Sequence, residues 1–437
     1  MKIPFSIFVF LIILGNLQSS DSAPAADDEI AAKIADLAAD KSADPDAESW
    51  IAVGNAKMQE ARDKLEHDFS EAEAAYKKAL GLKPDSTEAM LGMAWVKNSE
   101  HLFEQGRGWA EKALAINPEL VDAHSLLGDY ALERGDYDEA YDHYQAAIDL
   151  RGDLSTYSRA SYLLWQTGDS TQAGLLMEKA IAAGGPYPEN TAWCRVELAT
   201  MQFNLGSILA AEMQAKKAME AAPENPRVLG LMGKLSAAKE KYPEAIAFYE
   251  KSVAITPNHQ SLAALVDLYK LTGNTTEENK AVEKLIAFHS PADEGAATEN
   301  PAHGHIHTDG QASAELAMFF ADHDQNLEKA VKDAEKAYET YKNIKVEDTL
   351  AWCYYKTGDY KKARRFTERA MKWNTKDPAM YYHRGMIHHK LGDKARAREY
   401  LNQALALNPR FDPIQAAIAS QTLEEISLQD RSGKQKK

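Results

Sequence analysis

Three histidines stand at alternate positions, His303, His305 and His307, with His289 and His323 flanking them along the chain. Neutral imidazoles at this spacing suit a transition metal such as zinc, copper or nickel. No Cys joins them, and the nearby carboxylates are Asp309 and Glu299. The stretch from Pro291 to Gln311 is rich in Gly, Pro and polar residues and reads as a linker, so nothing holds the rings in one geometry. A solvated His-rich loop is the plainer reading. The expected cofactor list is therefore empty, apart from a weakly held divalent transition metal at these three residues.

Other chemistry is not signalled. There is no Gly-rich phosphate loop, no Gly-x-Ser-x-Gly elbow and no His-Glu-x-x-His. The two cysteines, Cys194 and Cys353, are too few for a disulfide framework. The expectation is a protein that is not an enzyme.

Charge is divided unevenly. The whole chain carries −16, which argues against nucleic acid as the main ligand. From Ala351 onward, however, 18 Lys and Arg face 9 Asp and Glu. Lys361, Lys362, Arg364, Arg365 and Arg369 crowd one stretch, and Lys394, Arg396 and Arg398 another. These suit docking of an acidic partner or an anionic membrane surface. A solvated helix face is the alternative.

Residues 1–25 have the layout of a secretory signal peptide. Lys2 precedes an apolar run from Ile3 to Leu14, and a small, polar stretch follows. The run is shorter than the roughly 20 residues that a spanning helix needs. The expectation is an exported chain, periplasmic or extracellular, with membrane contact only if the segment stays uncleaved.

The elements that would carry these residues repeat. Phe69–Pro84, Gly135–Ile148 and Tyr242–Pro257 each read as a turn followed by a helix with small residues at fixed offsets. Pro84 and Pro118 lie 34 residues apart, as do Pro223 and Pro257, and Pro257 and Pro291. This period and pattern resemble the tetratricopeptide repeat. Leu127, Gly128, Ala140, Tyr144 and Ala147 match one unit. Leu229, Gly233, Ala245, Tyr249 and Pro257 match another, and Tyr381, Gly385, Ala397, Leu401, Ala404 and Pro409 a third. Ten units begin near residues 53, 87, 121, 154, 192, 226, 259, 311, 344 and 378.

The resemblance implies an all-α fold, an α-α superhelix of about twenty antiparallel helices without a sheet. Residues 26–52 would form a leading helix and linker, 53–291 seven repeats, and 292–310 the Gly/His-rich linker. Residues 311–410 would hold three more repeats, 411–428 a capping helix, and 429–437 a basic disordered tail. Small residues at positions 8 and 20 would let paired helices approach, and Pro at 32 would end the second helix. One hairpin cannot bury its apolar face alone, so neighbours must stack.

The resemblance also implies a concave ligand face lined by first-helix positions 2, 5, 9, 12 and 13. Those positions hold Trp95, Tyr162, Trp165, Trp193, Phe203, Phe319, Trp352, Tyr355, Tyr382 and His389. Rigid rings suit capture of a peptide or partner protein. Packing between adjacent first helices is the alternative for several of them. His388 falls on a packing position, and Cys194 and Cys353 fall where the family commonly has Ala. The leading expectation is a non-catalytic scaffold or adaptor for a protein or peptide partner. A metal-handling accessory protein and a regulatory subunit of a cell-envelope complex are the alternatives.

Overall fold

Helix formation follows the repeat register closely. The computed structural model describes residues 45–63, 68–100, 102–185, 188–289 and 310–435. The expected signal segment, the leading helix up to residue 44, and the linker with His303, His305 and His307 lie outside the described residues. Among the described residues there are twenty-one α-helices and no strand.

They form ten hairpins and a cap. The first seven hairpins are α1 (Ala47–Asp63) with α2 (Ser70–Leu82), α3 (Thr87–Ser99) with α4 (Phe103–Ile116), α5 (Val121–Arg134) with α6 (Tyr137–Leu150), α7 (Leu154–Gln166) with α8 (Ser170–Ala183), α9 (Pro188–Asn204) with α10 (Ile208–Ala221), α11 (Pro226–Ala238) with α12 (Tyr242–Ile255), and α13 (His259–Leu271) with α14 (Thr275–Phe288). The last three are α15 (Gly310–Asp322) with α16 (Leu327–Thr340), α17 (Ile344–Lys356) with α18 (Tyr360–Ala370), and α19 (Pro378–Lys390) with α20 (Lys394–Leu407). The cap is α21 (Gln415–Gln435).

Local chemistry sets the starts. Asn225, Asn258, Asn343 and Asp377 accept hydrogen bonds from the first-turn amides of α11, α13, α17 and α19. These caps satisfy donors that have no partner inside the helix. Pro226 and Pro378 stand at the first helical position, where no amide donor is needed. One expectation needs correction: residues 429–437 are not wholly unstructured, because α21 runs on to Gln435. Once a helix is nucleated, each added residue closes one more backbone bond, so it extends past its last apolar contact.

Inside each hairpin the small residues do what the register requires. A Cβ on Gly128 would lie 2.4 Å from the Tyr144 ring, so only glycine lets α6 press that ring onto α5. Tyr144 is buried, and its hydroxyl donates to Asp129 at 2.8 Å. Burying such a ring contributes roughly 2–3 kcal/mol. Ala140 and Ala147 flank it with no exposed surface.

A second level of packing joins repeats three to five to repeats eight to ten. The turn glycines Gly135, Gly168 and Gly206 end α5, α7 and α9, and each abuts the carbonyl of a residue far along the chain. A Cβ would stand 2.3 Å from Lys342 O, 2.2 Å from Trp373 O and 2.4 Å from Leu407 O respectively. Hydrogen bonds accompany each contact. The Ile344 amide donates to Tyr137 Oη at 2.8 Å, Thr375 Oγ1 to Gln166 O at 2.5 Å, and Asn408 Nδ2 to Phe203 O at 2.8 Å. The superhelix thus brings two stretches about two hundred residues apart into a continuous seam, with the loops after α16, α18 and α20 laid on the turns after α5, α7 and α9.

Candidate functional site

The register puts ring residues on inner positions, and the structure divides them. Trp165, Phe203, Phe319, Trp352, Tyr355 and Tyr382 are buried, whereas Trp95, Tyr162, Trp193 and His389 are half-buried. In repeats eight to ten the expected open groove of rings is instead a packed stack. Trp352 lies between Tyr355, 4.5 Å away and nearly parallel, and His383, 4.2 Å away. Tyr382 packs at 5.6 Å from Trp352 and 6.1 Å from Phe411. Trp352 is 2% exposed. The physical reason is geometric. Trp352 and Tyr355, one turn apart on α17, meet Tyr382 and His383 of α19, and stacking removes their flat apolar surfaces from water.

Carboxylates surround the stack. Trp352 Nε1 donates to Asp322 Oδ1 at 2.8 Å, and Gln415 Nε2 donates to the same oxygen at 3.1 Å. Asp322 keeps an edge open to solvent, yet desolvation by the surrounding protein raises it to about 6, against the pull of His383 and the indole hydrogen bond. Burial alone would lower His383, but the carboxylates of Asp348 (2.8 Å from its Nδ1), Asp322 and Asp377 together raise it. His323 behaves alike: burial opposes its protonation, and Asp267 at 3.2 Å, the Phe319 carbonyl and Asp322 together overcome that. Asp377 and Asp412 are both raised, chiefly by desolvation.

In repeats three to six charged side chains stand beside the inner rings. Arg159 Nε donates to both oxygens of Asp129, at 2.9 and 3.0 Å. Lys345 of α17 reaches across the seam and sets its ammonium 5.4 Å from the Tyr162 ring centre. Lys234 lies 4.8 Å over the Phe203 ring; burial lowers it, against the attraction of Asp377, Asp412 and Glu197. These charged residues escaped reading from composition. Register could have found Asp129 and Lys234, which, like Asp267 of repeat seven and the ring of Tyr162, occupy the ninth position of their repeats.

The basic cluster lies on the other side of the hairpins. Lys361, Lys362, Arg364, Arg365 and Arg369 are all exposed on α18. Arg364 pairs with Glu368 at 2.8 Å, and Arg369 reaches the buried Glu347 at 2.7 Å. Arg396 is exposed on α20, the second helix of the next hairpin. The hydrophobic side of α18 points inward through Ala363, Phe366 and Ala370.

No thiol is poised to react. Cys194 and Cys353 are both buried, and burial pushes each thiol up to about 12. Both behave as small apolar side chains.

The tetratricopeptide-repeat family models match residues 121–154, 226–259, 349–377 and 378–411, each on a hairpin or part of one. The chain is a tetratricopeptide-repeat protein. Among curated proteins it is 26% identical over 204 residues to the BBSome complex member bbs-4 of Caenorhabditis elegans, covering 45% of this chain and 42% of that protein. It is 28% identical over 106 residues to the formate-dependent nitrite reductase complex subunit NrfG of Escherichia coli O157:H7, covering 24% of this chain and 50% of that one. The chain thus spans half the length of these relatives or less. Among solved structures, the pilF protein of Pseudomonas aeruginosa superposes with a TM-score of 0.40 at 18% identity, over 46% of this chain and 91% of that one. The repeats supply a scaffold for protein interactions.

Proposed function

We propose that this tetratricopeptide-repeat protein is a non-catalytic adaptor that docks an acidic protein segment on the outer face of repeats nine and ten. One observation carries the reading: five exposed cations stand on a single helix, α18, whose eleven residues include one acid, Glu368. The rings Phe319, Trp352, Tyr355 and Tyr382 of repeats eight to ten support it by default, since packing has buried the surface they would offer a partner. The apolar run Ile3–Leu14 supports placing this work outside the cytoplasm.

The test uses a labelled synthetic peptide of Glu, Asp and Leu, with anisotropy as readout. Combined Lys361→Glu, Lys362→Glu and Arg365→Glu should weaken binding, and the loss should grow at low salt, where screening is least. Equal affinity for the reversed and native proteins would remove this face from consideration.

A further inference from the structure

We propose that His259, His289 and Glu315 form a site for one divalent transition ion of the zinc class, which fastens repeat seven to repeat eight. The three residues come from three elements. His259 opens α13, His289 follows the last residue of α14, and Glu315 lies in the second turn of α15. His259 Nδ1 and His289 Nε2 are 2.8 Å apart. One ligand atom from each of the three residues lies within 4.8 Å of the other two.

Those distances match what a small cation needs. With bonds of about 2.0–2.1 Å, ligand atoms around tetrahedral zinc stand about 3.4 Å apart. The imidazole pair lies inside that separation and no pair of ligand atoms is more than 4.8 Å apart, so side-chain rotation would bring all three onto one ion. Two imidazoles with one carboxylate form a borderline donor set that favours zinc, cobalt, nickel or copper over calcium or magnesium. His289 is buried, while His259 and Glu315 are half-buried, so three protein ligands leave a fourth position facing solvent for water.

The surroundings favour a fixed site over a chance meeting of side chains. His259 is held by the α13 terminus, where Asn258 caps the Ser261 amide at 2.9 Å. The His289 ring is held edge-on by Phe288, at 5.1 Å, and by His259, at 5.0 Å. A contrast within the molecule makes the same point. His124 and His143 also face each other, with their Nδ1 atoms 3.1 Å apart, yet no carboxylate joins them in such a group. Among the described residues the His259 group is the one where three such ligands converge. Its place in the fold gives it a purpose. Residues 290–309 separate α14 from α15 along the chain, and the three ligands join the two helix pairs on either side.

The test is a titration of the full-length, chelator-dialysed protein with Zn²⁺ by calorimetry and with Co²⁺ by visible absorption. The expected result is one equivalent of each, with intense Co²⁺ bands of a four-coordinate site and a rise in melting temperature on metal addition, as mass action requires. Glu315→Gln, which keeps shape and folding, and His289→Ala should each weaken binding at least about tenfold, by analogy with the 10–100-fold losses seen for supporting residues at metal sites. The combined change His303→Ala, His305→Ala and His307→Ala should leave the equivalent in place. The proposal is overturned if no equivalent binds, or if Glu315→Gln binds as tightly as the native protein. It is equally overturned if the linker triple change abolishes binding, since the ion would then belong to the linker.

Discussion

Repeats three to five and repeats nine and ten obey one 34-residue pattern and live in opposite surroundings. In the first group the turns after the first helices are pressed under distant backbone, and the inner positions mix the polar Asp129 with the rings Tyr162, Trp165, Trp193 and Phe203. In the second the equivalent turns at Gly358 and Gly392 meet nothing within 4 Å, and the inner positions carry stacked rings. Identical local rules therefore leave a position's role open. Whether it becomes core, seam or surface depends on which repeats lie opposite.

The ring stack gives the largest expected effect. Trp352→Ala should cost about 3–5 kcal/mol, because it opens a cavity between Tyr355 and His383 and leaves the Asp322 carboxylate without its indole donor. Chemical denaturation checks this. A cost below about 1 kcal/mol would mean that the stack is loose and that the second group resembles the first.

Next comes a paired comparison of turns. Gly168 and Gly358 have nearly the same left-handed backbone, φ +87° and +85°. Alanine at either pays the same strain of about 1–2 kcal/mol. Only at Gly168 would the new methyl meet backbone, at 2.2 Å from Trp373 O. Gly168→Ala should therefore lower the melting temperature clearly more than Gly358→Ala. Equal losses would show that the seam contributes nothing.

A pH effect is smaller. Asp322 is held at about 6, above its ordinary 3.8, so the native state binds its proton more tightly than the unfolded chain. The associated stability is fully present below pH 3.8 and is lost as pH rises through 6. Solvent at its open edge screens the effect to on the order of 1 kcal/mol. Asp322→Asn, which still offers an oxygen to the indole, should stabilise the protein at pH 7 and flatten stability between pH 4 and 7 relative to the native chain. An unchanged pH profile would exclude Asp322 as the source.

The smallest effect belongs to the outer face. Lys361→Glu with Lys362→Glu should shift stability by no more than about 0.5 kcal/mol, since both side chains are exposed. A large destabilisation would mean that these two side chains are engaged in the fold after all.

What the sequence determined by itself is local. The starts of α3, α5, α7, α11, α13, α17 and α19 fall on the residues that the pattern marks, because caps, small residues and prolines act within a few positions of themselves. The exposure of the basic cluster was legible too, since a helix with Ala363, Phe366 and Ala370 on one side has one way to face. The tertiary structure alone decided the seam, the burial of Trp352 and Tyr382, and the meeting of His259, His289 and Glu315. Each depends on small rotations between successive repeats that accumulate along the array. Tyr137 and Ile344 touch across 207 residues, and no periodicity of 34 contains the pitch that joins them.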